Sequence, residues 1–169
     1  MKRKNKKSVL LKIAVMCMVF VMAIGVSAPV HAAVTTRSVV SKVKSSVNKY
    51  PFSNSDAVSV RRRRGKTTIF GADARNLSAF KAYQKTTKTE EYILFVGKAK
   101  SSSKARTVKK SLKAFVKNEA SCMSNYLSDE GKKSFAKAKI GSSGKWVWAI
   151  VLTSSSDNTK AEKAIKKKI

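Results

Sequence analysis

Acidic side chains are scarce in this sequence. Nine Asp and Glu stand against 37 Lys and Arg in 169 residues, a formal charge of +28. Histidine occurs once, cysteine and proline twice each, and glycine seven times. One histidine and two cysteines exclude a Cys/His zinc centre and a disulfide framework. Few prolines and glycines, with a hydrophobic fraction of 43%, exclude a low-complexity or disordered chain in spite of the charge. The length suits one ordinary domain.

What is present begins with a leader. MKRKNKKS carries five positive charges and no negative one, and an apolar run follows from Ile13 to Val26. Fourteen helical residues rise about 21 Å, short of the ~30 Å hydrocarbon core, and Ser27 and Pro29 break the run. The pattern predicts a signal peptide over 1–32 rather than a spanning anchor, with SAPVHAA placing Val30 and Ala32 ahead of a cleavage after Ala32. Cys17 follows Met16 inside the apolar run, so a lipid anchor is not expected. No paired arginines precede the run, which favours the general secretion route. Cleavage removes His31, Cys17 and six basic residues. It leaves 137 residues with 31 basic and 9 acidic groups, a formal +22, and Cys122 as the lone thiol.

Over 33–52, Val39, Val43, Val47 and Tyr50 recur at helical spacing, with Thr35 or Thr36 as cap and Pro51 as stop, which predicts one amphipathic helix. Residues 53–69 hold turn formers and the tetrad Arg61, Arg62, Arg63 and Arg64 without a period, and read as a basic linker. In EEYILFVGKAK (90–100) the run Tyr92 to Val96 predicts a buried strand. After the caps Ser101 to Ser103, the residues Val108, Leu112, Phe115, Glu119, Cys122 and Tyr126 advance by four and three, predicting a long helix to about Tyr126. A short helix starts at Ser128 or Asp129. KAKI and KWVWAIVLT flank GSSG as a hairpin, and a last helix opens at Asp157 and ends in Lys166, Lys167 and Lys168.

SAFKAYQK (78–85) fits helix and strand alike. Taken in order, FGAD (70–73), EEYILFVGKAK, NYLSDE (125–130), GKWVWAIVL (144–152) and AEKAIKK (161–167) resemble an uncharacterised bacterial family, domain of unknown function 4358. The resemblance covers about 70–169 and implies a strand over 78–85. It also implies a secreted or lipid-anchored protein of a Gram-positive bacterium, without an assigned activity. The chain departs from that family in lacking a lipidation cysteine and in its far higher basicity. The fold class expected is α+β: a small antiparallel sheet of two hairpins packed against a long helix and a C-terminal helix, over 70–169.

Several constellations fail on inspection. GKTT (65–68) lacks the first glycine of a phosphate-binding loop, since Val60 stands there. Ser-x-x-Lys recurs at Ser41, Ser46, Ser78, Ser101, Ser134 and Ser142, as a Ser- and Lys-rich chain produces by chance, and Lys-Thr-Gly is absent. No catalytic residue, metal ligand set or cofactor motif is assigned. Asp129, Glu130 and Asp157 read as helix-start residues. Glu119, within the apolar stripe, is expected to have a Lys or Arg partner or an edge position. Cys122, in the same stripe, is expected to be buried. Trp146 and Trp148 share one strand face with Ile150 and Leu152, assigned to the core; the alternative is an exposed platform, with Val147, Ala149 and Val151 buried instead.

The stripe Arg106, Lys109, Lys110, Lys113 and Lys117 meets no acid between Lys104 and Glu119, whereas a solvated face normally mixes signs. With Arg61–Arg64 and Lys166–Lys168 it reads as a polyanion-binding surface. The function expected is a secreted, non-enzymatic protein of the cell envelope that binds an anionic envelope polymer or membrane surface, and extracellular nucleic acid non-specifically. The alternative is a small envelope enzyme or protein-interaction module. The leader generates the first prediction: N-terminal sequencing of the exported protein reads from Ala33, and retention of Met1 overturns the export argument.

Overall fold

The computed structural model describes residues 33–169 apart from Pro51, Arg64, Lys88 and Thr89, with Arg63 described by its backbone alone; the leader read over 1–32 lies outside the described residues. In chain order the elements are helix α1 (Thr36–Ser46), strands β1 (Arg61–Arg63), β2 (Lys66–Ile69) and β3 (Ala72–Asp73), and a 3-10 turn (Ala74–Asn76). Strands β4 (Leu77–Thr86) and β5 (Glu91–Ala99), helices α2 (Ser102–Cys122) and α3 (Asp129–Ala136), strands β6 (Lys139–Ser143) and β7 (Trp146–Val151), and helix α4 (Ser155–Lys168) follow. The fold is α+β as expected. Hairpins β4–β5 and β6–β7 join through β5 and β7 into an antiparallel sheet of order β4-β5-β7-β6, beside a smaller sheet β1-β2-β3.

A strand apolar at successive positions needs cover on both faces, and β5 and β7 receive it. Ile93, Phe95, Val147, Ala149 and Val151 pack with Ala105, Val108, Leu112 and Val116 of α2. Leu94, Val96, Trp148 and Ile150 pack with Val39, Val40 and Val43 of α1 and Ala161, Ala164 and Ile165 of α4. Both faces considered for the tryptophan strand are therefore buried. Trp148 is in the core, and Trp146 is partly buried with the Lys98 ammonium 5.5 Å from its ring.

Residues 33–52 thus form part of the core rather than an appendage. Thr35 and Ser38 cap α1 reciprocally. The Lys44 ammonium sits 4.0 Å over the Tyr83 ring and donates to the Phe52 carbonyl at 2.6 Å. Tyr50 donates to the buried Asp157 at 2.7 Å, and Lys49 reaches the same oxygen at 2.6 Å. Asp157 lies in the first turn of α4 and is bonded to its cap Ser154, so the cap falls three residues before the start read from sequence. Asn158, also buried, accepts from the Leu152 amide at 2.9 Å and donates to the Lys137 carbonyl.

Three expectations need correction. Residues 53–69 are not a free linker: they hold β1 and β2, and Val58 N donates to Ala82 O while Gln84 N donates to Asp56 O, closing the outer edge of β4. The basic and polar residues RRR of β1 and KTT of β2 give no sustained apolar period to detect. GSSG does not form the turn of the second hairpin. Its first three residues belong to β6, and the turn is Gly144–Lys145, with Gly144 at φ 54°.

Cys122 is exposed, and Tyr126 lies beyond the helix at 70% exposure. The stripe had been read at period 3.5, but a straight helix turns about 100° per residue. That puts Cys122 roughly 85° from the line of Ala105, Val108, Leu112 and Val116. No described helix is long and apolar enough to cross a membrane.

Burial alone would raise the Asp157 carboxyl, but hydrogen bonds from Lys49, Tyr50 and Ser154 outweigh it and hold the group at about 2, below its ordinary 3.8. A depressed carboxylate contributes stability that is present above its unfolded value and is lost as pH falls from there through the folded one. Asp157→Ala should cost on the order of 2–3 kcal/mol at pH 7 by removing the charged acceptor shared by Tyr50, Lys49 and Ser154, the Tyr50 hydroxyl keeping Thr153 as its remaining partner. Between pH 4 and pH 2 its unfolding free energy should fall less steeply than that of the native chain; Asp73, held at about 2 by Arg75, retains part of the slope. Urea melts at both pH values check this.

Candidate functional site

The residues expected to bind polyanions fall into separate groups. On α2, Arg106, Lys110, Lys113 and Lys117 are exposed and Lys109 is half-buried, because the buried line of the helix leaves them on its outer side. All nine carboxylates of the sequence lie among the described residues. Their side-chain ion pairs engage Lys49, Arg75, Lys132, Lys160 and Lys166, and none of the five α2 cations. Of the C-terminal lysines, all exposed, Lys166 pairs with Glu162 at 3.2 Å. Arg61 and Arg62 are exposed on β1 and the backbone of Arg63 completes that strand, while Arg64 lies outside the described residues.

The structure brings some of these groups together in ways the sequence does not reveal. A groove of about 520 Å³ runs along β6, with Lys109 of α2 and Lys166 of α4 on its sides and Gly141, Ser142 and Trp148 on its floor. A second, of about 430 Å³, has Lys113, Lys117 and Lys132 around an apolar floor that includes Leu127, Phe135 and Ile140. Ile140 belongs to both. The basic face of α2 is thus continuous with two concavities on the β6 side of the molecule.

Arg61 goes elsewhere. It lines a cavity of about 230 Å³ with Gln84, Glu119, Thr68, Phe70 and Phe115. Phe70 adopts φ 46°, a left-handed conformation costly for a bulky residue, and stacks on Phe115 with centroids 4.8 Å apart. Among the described residues Glu119 makes no ion pair; beside it are Gln84, whose amide is 3.5 Å from its Oε1, and a second carboxyl, Glu91. Glu91 is buried, accepts from the same Gln84 amide, and has no hydrogen-bond partner for Oε2. Of the two expectations for Glu119, a Lys or Arg partner or an edge position, its half-burial at the cavity fits the second, and there it forms a carboxyl pair with Glu91 bridged by one amide. In the sequence Glu91 stands just before the apolar run Tyr92 to Val96, where nothing marks it as buried. Its place opposite Thr86, at the far end of the β4–β5 register, puts it under the end of α2, which only the tertiary structure reveals.

Burial pushes the Glu91 carboxyl above the ordinary range, the Gln84 hydrogen bond opposes that, and the Glu119 charge adds to it. Loss of hydration and the neighbouring Glu119 carboxyl thus act in the same direction on Glu91. No group of three or more His, Cys, Asp or Glu placed to hold a metal ion occurs among the described residues.

No family model, curated protein or solved structure matches this chain. Roles for these residues therefore come from the geometry alone.

The carboxyl pair generates a signed prediction. A carboxyl raised on folding contributes stability below its unfolded value that is lost as pH rises through the folded one. Glu91→Gln keeps an acceptor for Gln84 and offers Glu119 a donor without a proton to lose. The variant should melt higher than the native chain at pH 7, and the two should converge below pH 4. Calorimetry across that range checks it, and a variant less stable at pH 7 overturns the account of a raised Glu91.

Proposed function

We propose that this is an exported, non-enzymatic protein of the cell envelope that binds an anionic polymer electrostatically. The observation that carries the reading is the unpaired basic face of α2, whose lysines continue into the two grooves beside β6. These five cations have no ion-pair partner among the acids and so set up a basic field on that side of the molecule. Each phosphate or carboxylate they neutralise releases a condensed counterion, which makes the affinity salt-dependent.

A polymer is favoured over a membrane surface because the described large apolar side chains exposed to solvent are only Val60 and Tyr126, too few for an interfacial wedge. The family resemblance in the sequence agrees with an envelope location. Extracellular nucleic acid would bind by the same charges without base readout.

The rival reading, a small envelope enzyme, draws on the Glu91–Glu119 pair, since two adjacent carboxyls, one of them buried, are the elementary equipment for acid–base chemistry. Against it, Glu91 does not line the cavity and only Glu119 of the pair reaches it. An interaction module, the other alternative, gains nothing from that cavity.

The test is anisotropy of labelled polyglutamate and polyphosphate titrated with the full-length chain at several salt concentrations. Replacing Arg106, Lys110, Lys113 and Lys117 with Gln should flatten the logarithmic salt slope by up to about 3, at roughly 0.7 per contact for a flexible strand. Thermal stability should stay constant or rise slightly as self-repulsion falls. An unchanged slope in this variant, or stronger binding to phosphatidylglycerol vesicles than to either polymer, overturns the reading.

A further inference from the structure

The two edges of the large sheet are treated differently. The outer edge of β4 is closed by main-chain hydrogen bonds from residues 56–58. The outer edge of β6 has no strand neighbour, and no main-chain hydrogen bond from another segment reaches it among the described residues. Natural sheets cover or blunt such an edge unless something is to be laid along it. The groove that runs there contains an anomaly: Trp148 lines it, is 2% exposed, and its indole Nε1 has no hydrogen-bond partner among the described residues. A buried N–H without an acceptor costs about 1–3 kcal/mol and calls for an explanation.

Gly141 provides part of it. A Cβ at that position would lie 2.3 Å from the Trp148 ring and 2.8 Å from Nε1, so any side chain there would displace or cover the donor. The remaining polar groups on the groove are of mixed character. Lys109 and Lys166 are cations, Ser142 and Ser143 offer hydroxyls, and Glu162 is an acceptor already in contact with Lys166. A bare oxyanion would use the cations and be repelled by Glu162. A residue bearing both an oxyanion and hydroxyl groups uses all of them: the oxyanion meets Lys109, Lys166 and the indole N–H, and a hydroxyl donates to Glu162.

We propose that the groove along β6, with Trp148, Lys109, Lys166 and Glu162, is the subsite that selects a hydroxylated polyanion, an acidic polysaccharide or polyol phosphate, from among the anionic chains the α2 face attracts. The proposal rests on the polyanion reading and adds selectivity to it. The α2 face supplies long-range attraction to any polyanion, whereas the groove distinguishes the repeating unit.

The experiment compares polygalacturonate with polyglutamate, two carboxylate polymers that differ in the sugar hydroxyls, on the full-length chain. The indole Nε1–H resonance of Trp148 is followed by NMR, assigned through Trp146→Phe. Polygalacturonate should move that resonance downfield and slow its exchange with solvent; polyglutamate should bind without moving it. Lys109→Gln with Lys166→Gln should weaken polygalacturonate about tenfold and polyglutamate at most a few-fold. Glu162→Gln should narrow the preference between the two, and Trp148→Phe, which keeps the ring and removes the donor, should do the same. If both polymers bind and neither moves the resonance, the groove is not a subsite, although the polyanion reading stands. Equal movement by both overturns the selection by hydroxyls, and movement by polyglutamate alone assigns the edge to an acidic peptide strand instead. Failure of both to bind at low salt overturns this proposal and the polyanion reading together.

Discussion

Two strands that are apolar on both faces govern the rest of this structure. β5 and β7 present Ile93, Phe95, Val147 and Ala149 to one side and Leu94, Val96, Trp148 and Ile150 to the other, and neither side tolerates water. One long helix covers the first. The second takes two shorter ones, which is why residues 33–52 are drawn into the domain and why α1 and α4 must be fastened to each other. The fastening is polar: Asp157, at the first turn of α4, gathers Lys49, Tyr50 and Ser154. A buried carboxylate is tolerable there only because these donors outweigh its loss of hydration.

Elements whose signal is local were legible in the sequence. Tyr92–Val96 reads as a buried strand from composition alone, Ser128 and the two acids after it mark a helix start, and Val39, Val43 and Val47 lie at the spacing that their burial requires. What was not legible depended on distance in the chain. A 3.5-residue pattern fits α2 well over its first turns and drifts away from the true line by Cys122, an error that grows with helix length and stays invisible until something packs against the helix. Choosing one face of the tryptophan strand assumed that the other face met solvent, an assumption a central strand violates. The carboxyl pair needed strand β5, strand β4 and the last turns of α2 to meet, and no spacing encodes that.

The same distinction applies to the charges. Arg61, Arg62, Arg106, Lys110, Lys113, Lys117 and Lys166–Lys168 are exposed and Lys109 is half-buried, but the sequence does not show how they group. Arg61 faces the cavity with Glu119 rather than the α2 stripe, whereas Lys109 and Lys166, 57 positions apart, face one groove. The carboxylates explain the remainder. Asp157, Asp73 and Glu162 have cationic partners close at hand, Asp56 accepts from Ser53, and Glu90 accepts from the Tyr92 hydroxyl. Asp129 pairs with Lys132, Glu91 and Glu119 lie together at the Gln84 amide, and Glu130 stands in the first turn of α3, so none of the nine acids pairs with the outer side of α2. Its bareness results from how the acids are placed as much as from an excess of lysine.

That placement also separates two tasks that an entirely basic surface would confuse. A uniform field attracts every polyanion and discriminates among none. Discrimination needs fixed donors and acceptors at short range, held on rigid elements. On this protein the rigid elements that retain free polar groups lie beside β6, since β4 is closed by its own chain and the centre of the sheet is buried. Gly141 keeps that edge thin enough for the Trp148 indole to approach it, and the helices on either side bring Lys109 and Glu162 to the same groove. On the proposed reading, the double burial of the large sheet leaves the outer side of α2 for attraction and, of that sheet's two edges among the described residues, β6 for a specific contact.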